Sequence, residues 1–383
     1  MPHCPTIASV FDLNPCKYGS MEEYAIFLSR ALKERGWKSL LVFSRSPIAP
    51  VARDLEAGGA ETAVFSRGST SAIYSQLFRL LRRYRPEVIH VHFFEYFSLL
   101  PFVALLARPK LLVFTDHYRQ PQPISSTTRM ACFLWDRVLF RRSKTRIVAI
   151  SDHIKRTLVD CYGMAPERIR VIYNGVNLKR FMPVEGPALD TWRTELGLPL
   201  SGPVVVCASN LRPEKGVSNL LIAAQTVLVR KPNALFVILG NGPMAPRLRQ
   251  QARDLRIDRS VWFTGLRSDV HRFMAAADVV VVPSIWQEPA GLVVVEGMAS
   301  ARPVVATRVG GIPEYLRDGA AGILVEPRAP EELARGILRL LDAPGEAAAM
   351  GRAGRKRVEE KFSLDRWIQD TLELYDEGLS STR

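Results

Sequence analysis

PSIWQEPAGLVVVEGMASARPVVAT, residues 283–307, carries the reading of this chain. Four valines at 279–282 precede it and read as a short buried strand that ends at Pro283 and Ser284. A loop with Trp286, Glu288 and Pro289 follows, and Gly291 opens an apolar helix over 292–300 that contains Glu296. Another strand, 303–307, closes the stretch. In parallel sheets ligands bind beyond the carboxyl ends of the strands. The first N–H groups of the helix, around Gly291 and Leu292, suit a diphosphate, and Gly291 lets a phosphate approach the backbone closely. An unpaired carboxylate inside LVVVEGMA is costly to bury, so Glu296 reads as meeting a ligand hydroxyl or a buried partner. Adjacent ribose hydroxyls would donate two hydrogen bonds to that one carboxylate. Glu288, on the loop, is placed to accept hydrogen bonds from a sugar. Taken alone, the two glutamates fit equally a solvated loop residue and a satisfied core carboxylate, so the flanks decide.

Outward from this stretch, strands and helices alternate. Strands are expected at 204–208, 234–240 and 261–264, with helices at 217–230, 245–255 and 269–276. The first half repeats the theme: strands at 6–11, 38–44, 88–92, 111–115 and 147–150, and helices at 21–35, 71–84 and 128–140. Short apolar, β-branched strands alternating with helices imply parallel, doubly wound sheets. Prolines and glycines crowd residues 181–202, which read as a hinge. The expectation is an α/β protein of two Rossmann-like domains facing each other across a cleft, residues 1–180 and 181–363.

Bulk properties narrow the classes. The chain has 383 residues, 47% of them hydrophobic and 23% charged, which is a globular rather than a disordered composition. Cys4, Cys16, Cys132, Cys161 and Cys207 are scattered without a CxxC pair, which suggests neither a disulfide framework nor a zinc ribbon and points to a reducing cytoplasm. The N-terminal residues lack a basic, apolar export signal, and the longest apolar run, 97–107, is too short to span a bilayer. A net charge of +14 favours anionic partners, but the basic residues are not interleaved with stacking aromatics, so nucleic acid is not expected. The densest cluster, SQLFRLLRRYRP with Arg79, Arg82, Arg83 and Arg85, reads as a core-facing helix with a solvated basic face. Peripheral contact of that face with an anionic membrane, at its inner surface, is the alternative.

Segments quoted from the whole chain sharpen this. NPCKYGSMEEYAIFLSRALKERGW, PEVIHVHFFEY, LLVFTDHY, VAISDHIKRTLVDCYGMAPERIRVIYNGVNLKRF, ASNLRPEKGVSNLL, ILGNGP, VWFTG, the two-glutamate block and VGGIPEYLRDGAAGILVEP occur in this order. Together they resemble glycosyltransferase family 4, a retaining family with the GT-B fold of two Rossmann-like domains. The resemblance implies that the last helix, with Trp367, Ile368, Leu372 and Tyr375, crosses back so that 364–383 pack on the first domain. It places Gly19 and Ser20 near the donor phosphate and acceptor, Lys215 on the diphosphate, Glu288 on the transferred sugar and Glu296 on the ribose. His117 matches the family's active-site histidine and would bond the sugar or position the acceptor.

This chain departs from the family pattern at several positions. Ser209-Asn210-Leu211 stands where many members have Gly-Arg-Leu, which removes a second cation and leaves Arg212 as its candidate replacement. Ala290 replaces an aromatic residue, Gly297 an alanine and Ala301 a glycine. His90, His92, Asp116 and His117 could be read as a metal site, but His90-Val91-His92 matches a non-metal family motif.

The implied activity is transfer of a hexose-type sugar, with retention, from a UDP- or GDP-sugar to a glycan, a lipid-linked acceptor or a small-molecule hydroxyl. No cofactor is expected, and with no Asp-x-Asp a metal-bridged diphosphate is not expected either. The rivals are a nucleotide-sugar 2-epimerase on the same scaffold and a catalytically silent binding protein.

Overall fold

The structure, a computed structural model, describes residues 4–15, 18–66, 68–121, 125–140 and 144–380. It divides into two compact units, residues 1–173 with 364–383, and residues 174–363. The first unit is built on seven strands: β1 (Thr6–Phe11), β2 (Lys38–Phe43), β3 (Ala60–Val64), β4 (Val88–His92), β5 (Leu111–Asp116), β6 (Thr145–Ala149) and β7 (Ile169–Val171). They lie in the order β3-β2-β1-β4-β5-β6-β7, and every neighbouring pair is parallel. The second unit holds β8 (Val204–Ala208), β9 (Leu235–Leu239), β10 (Val261–Gly265), β11 (Val279–Val282), β12 (Val304–Thr307) and β13 (Gly322–Val325). Their order is β10-β9-β8-β11-β12-β13, again all parallel. Each unit is therefore Rossmann-like, and the strand order reverses between β1 and β4 and between β8 and β11. Those reversals open a crevice at the carboxyl edge of each sheet.

The central strands form because nearly every side chain on them is apolar and buried. Val279–Val282 is buried throughout, as is Val304–Thr307. The helix Leu292–Ala299 lies close on these strands, and Gly297 faces Val280 and Val304. A Cβ there would stand 3.1 Å from a methyl of each valine, so the glycine at this position suits a tightly seated helix.

Three local differences from the sequence reading have physical causes. The strand Ala60–Val64 went unread because it is an edge strand whose side chains stay largely in solvent, leaving no apolar alternation. Residues 181–202 are not merely a hinge, since they contain the helix Pro187–Leu196. Pro187 occupies its first turn and Gly197 ends it in the left-handed region (φ 71°), so two of the apparent breakers are helix boundaries. The second unit also begins earlier than residue 181. The amide of Val176 donates to the carbonyl of Phe362 at 2.9 Å, and Arg355 Nη1 donates to the carbonyl of Phe181 at 2.8 Å. These bonds hold residues 174–181 on the second unit.

The helix Leu364–Ser380 belongs to the first unit and buries Leu364, Trp367, Ile368, Leu372 and Tyr375. Tyr24 stacks on Trp367 with ring centroids 4.2 Å apart. The basic helix spans Thr70–Tyr84 and buries Leu77 and Leu81, leaving Arg79, Arg82, Arg83 and Arg85 exposed. Among the described residues, no helix is long and apolar enough to cross a membrane.

Candidate functional site

In the second unit the loops after β8 and β11 meet at the carboxyl edge, where the strand order reverses. Gly216, with φ 67°, lies so close to the β11 loop that a Cβ would stand 1.8 Å from the Pro283 carbonyl oxygen. Only glycine fits both that conformation and that approach. The contact brings Lys215 to Glu288. Lys215 Nζ donates to Glu288 Oε1 at 2.6 Å, and Ser284 Oγ donates to the same oxygen at 2.6 Å. Nζ also lies 5.3 Å from the ring centroid of Trp286, a cation–π distance. The Glu288 side chain is 11% exposed and that of Lys215 24%.

The backbone of this loop is fixed from β12. Thr307 Oγ1 donates to the Ser284 carbonyl at 2.6 Å, and the amide of Gly311 donates to the Glu288 carbonyl at 2.7 Å. At Gly310 (φ 54°) a Cβ would come within 2.1 Å of the Glu288 carbonyl oxygen. Ser284, Thr307, Gly310 and Gly311 thus set the position of Glu288, and sequence reasoning gave none of them a role. The signal was the Gly-Gly pair of VGGIPEYL, which marks a close backbone approach without saying to what.

Gly291 is the N-cap of the helix Leu292–Ala299, whose first amides have no carbonyl within the helix to bond. Glu296 lies one turn further on. Leu292, Val293 and Glu296 are the less buried positions of the helix, at the 3–4 residue spacing of one face. This reverses the sequence expectation: the loop residue Glu288 is the buried carboxylate, and Glu296 is half-buried on the face that leads from the helix start. Arg212 stands apart from the Lys215–Glu288 pair. Its side chain is 58% exposed and its partner is Glu214, at 3.7 Å. Asn210 is also exposed.

At the carboxyl edge of the first unit, His117 follows β5. Its Nε2 is 3.2 Å from His92 Nδ1, and its ring stacks on Phe93 at 4.2 Å. Both ring nitrogens of His90 are within 2.6 Å of a hydroxyl, Tyr375 on one side and Thr115 on the other. Desolvation by the surrounding core pushes His90 down to about 3 and His117 down to about 4, and holds His92 well below the usual histidine range. All three are therefore neutral imidazoles at physiological pH. Asp116 is not directed at them. It accepts from the amide of Arg119 and from Arg119 Nε, each at 2.9 Å. Among the described residues, no group of three His, Cys, Asp or Glu is placed to hold a metal ion.

Gly19 caps the helix Ser20–Glu34 in extended conformation, and its amide donates to Glu22 Oε2 at 3.1 Å. The N-terminus of this helix is thus partly occupied by the chain's own carboxylate. Gly19 and Ser20 belong to the first unit, as does His117; Lys215, Glu288, Gly291, Leu292 and Glu296 belong to the second.

Comparison with known proteins gives a consistent result. A family model described as glycosyl transferases group 1 matches residues 189–357, and one described as glycosyltransferase family 4 matches residues 21–180. A D-inositol 3-phosphate glycosyltransferase of Acidothermus cellulolyticus is 36% identical over 255 residues, which are 62% of this chain and 56% of that protein. The chain spans about half to three-fifths of the length of the curated relatives it matches. Among solved structures, a glycosyltransferase from Rickettsia africae superposes with a TM-score of 0.86 at 21% identity, covering 99% of this chain and 100% of that one. Anabaena HepE in complex with UDP-glucose gives 0.79 at 22% identity, covering 97% and 99%. At these identities the structural likeness establishes the fold.

Proposed function

Because the chain belongs to the group 1 glycosyl transferases, with a family 4 first domain, we propose that it is a retaining glycosyltransferase using a UDP- or GDP-sugar. The acceptor hydroxyl belongs to a glycan, a lipid-linked saccharide or a small molecule. The observation that carries this reading is the sharing of one carboxylate oxygen of Glu288 by Lys215 and Ser284, beside a helix start, at the strand-order reversal of the second domain. The complex of HepE with UDP-glucose supports a nucleotide-sugar donor.

The chemistry follows from an exchange of partners. The Lys215 ammonium is neutralised by Glu288 until a diphosphate takes its place. Lys215 and the helix amides at Gly291 and Leu292 then face the phosphates and stabilise the charge that grows on the leaving group. Glu288, relieved of the lysine, accepts hydrogen bonds from the transferred sugar, and Glu296, one turn along the helix, accepts from the ribose hydroxyls. On the first domain, the neutral imidazole of His117 is assigned a hydrogen bond to the sugar or acceptor. Gly19 and Ser20 are assigned to the phosphate side, with the Glu22 carboxylate the group a phosphate displaces. Arg212, exposed beside Glu214, is assigned as the second cation. The lysine and the helix supply positive charge where other transferases use a metal, so no divalent ion or cofactor is required in this reading. The acceptor proton passes to the departing phosphate. A cytoplasmic setting suits the free thiols of Cys4, Cys132, Cys161 and Cys207, and the exposed arginines of Thr70–Tyr84 suit peripheral contact with an anionic inner membrane surface.

A panel of UDP- and GDP-sugars read by thermal shift tests the donor assignment. One nucleotide series is expected to stabilise the chain, by about 2.7 kcal/mol at a hundredfold excess over its dissociation constant. Absence of any stabilisation removes the reading, and formation of an epimer from donor alone replaces it with the epimerase.

A further inference from the structure

The second domain has a pocket of about 400 Å³ at the amino-terminal edge of its sheet, away from Lys215 and Glu288. Pro203, Asp278 and Pro303, the residues immediately before β8, β11 and β12, line its floor. Strands of four or five residues, at ~3.3 Å per residue, put about 13–17 Å of sheet between this edge and the other. The volume is that of a small-molecule site rather than of a single ion.

The charges of the pocket are unevenly satisfied. Asp278 Oδ2 accepts from Arg193 Nη2 at 2.9 Å and from the amide of Val204 at 2.7 Å, so this acid is already paired. Glu185 is exposed at the rim. Arg302 is different. Its Nη2 donates to a neutral group, the Val184 carbonyl, at 2.6 Å, and its buried Nε makes no hydrogen bond among the described residues. Burial pulls the Arg302 pKa below its ordinary value and the Arg193 charge adds to that, while the charges of Asp278 and Glu185 only partly offset it. Arg352, exposed on the helix Pro344–Lys361, adds a second guanidinium to the wall, beside Ala348 one turn earlier. Leu340, Leu341 and Ala347 supply an apolar side.

A half-buried guanidinium whose enclosed Nε has no hydrogen-bond acceptor and which no carboxylate bonds directly, with a second one nearby and an apolar wall, is chemically complementary to a compact organic anion. We propose that this pocket is a second ligand site, separate from the donor site, for a small metabolite carrying a phosphate or carboxylate group. The anion lies against Arg302 and Arg352, and the carbon skeleton lies against Leu340 and Ala347.

The test is isothermal titration of the full chain carrying Lys215→Ala, so that anion binding at the donor site is removed. The probes are inorganic phosphate, glycerol 3-phosphate and citrate, which separate phosphate from carboxylate recognition and a bare ion from an organic one. Glycerol 3-phosphate or citrate is expected to bind at one site per chain, more tightly than inorganic phosphate. Adding Arg352→Ala weakens that binding by about tenfold, the loss of one charge-assisted bond. Adding Ala348→Trp, at an exposed helix position on the pocket wall, abolishes it without lowering the melting temperature. The proposal is overturned if none of the three probes binds saturably at millimolar concentration, or if binding survives both Arg352→Ala and Ala348→Trp unchanged.

Discussion

At the carboxyl edge of the first domain's sheet, His90, His92 and His117 form a neutral set, whereas the same edge of the second domain holds Lys215 and Glu288 as an ion pair. Both groups are withdrawn from water. Desolvation outweighs the Asp116 charge that acts on His117, and so removes the charge of the imidazoles. The lysine and the glutamate instead each supply the charge the other needs, at 2.6 Å. The contrast teaches what each edge can offer. A neutral set gives directional hydrogen bonds at little electrostatic cost, while a stored pair gives charge that a ligand can redirect by taking one partner.

The largest expected effect tests the charged region. Lys215→Ala and Glu288→Ala should each lower donor turnover by about 100–1,000-fold, the scale of losing one preorganised charge-stabilising group. Steady-state assays measure this, and losses below tenfold in both variants would break the contrast. The next effect belongs to the histidines. In the unfolded chain each takes up a proton below about pH 6.5, while in the fold it stays neutral until about 4 for His117 and about 3 for His90. The unfolded state therefore binds more protons across this window, and stability falls as pH falls. The slope is about 1.4 kcal/mol per pH unit for each buried histidine. Urea titrations between pH 7 and 5 should show this decline in the wild type and a shallower one in His92→Phe. A flat wild-type profile would mean that the imidazoles are not buried neutral. The smallest effect concerns Glu296. Its change to Gln should weaken donor binding by about tenfold, roughly one charge-assisted hydrogen bond. An effect as large as that of Glu288→Ala would erase the distinction between the two glutamates.

Much of this was legible in the chain itself, and the failures have particular causes. Val279–Val282 and Val304–Thr307 announce themselves because parallel strands covered on both faces need continuous apolar side chains. Ala60–Val64 does not, because an exposed edge strand carries no such demand. The family resemblance singled out Lys215 and Glu288 one by one, but their bond was not legible. They are 73 residues apart, and their meeting depends on β8 and β11 lying side by side. The burial of the two glutamates was misjudged for a related reason. Apolar neighbours in sequence suggested that Glu296 is enclosed, yet helix geometry turns it to the less buried face, while Glu288 is buried in a loop whose backbone packs on Gly310 and Gly311, beyond the end of β12. Tyr375 and His90 are 285 residues apart, and no spacing rule relates them.

The return of Leu364–Ser380 to the first domain imposes an order on biosynthesis. Residues 174–363 are contiguous and have all their core partners once they leave the ribosome. The first domain, although translated earlier, lacks Trp367 and Tyr375 until the whole second domain has been made. At 5–20 residues per second, those 190 residues take about 10–40 s. During that interval His90 has no Tyr375 hydroxyl to bond and the surface destined for Trp367 is uncovered. The core of the N-terminal domain is therefore completed only after the second domain has been synthesised.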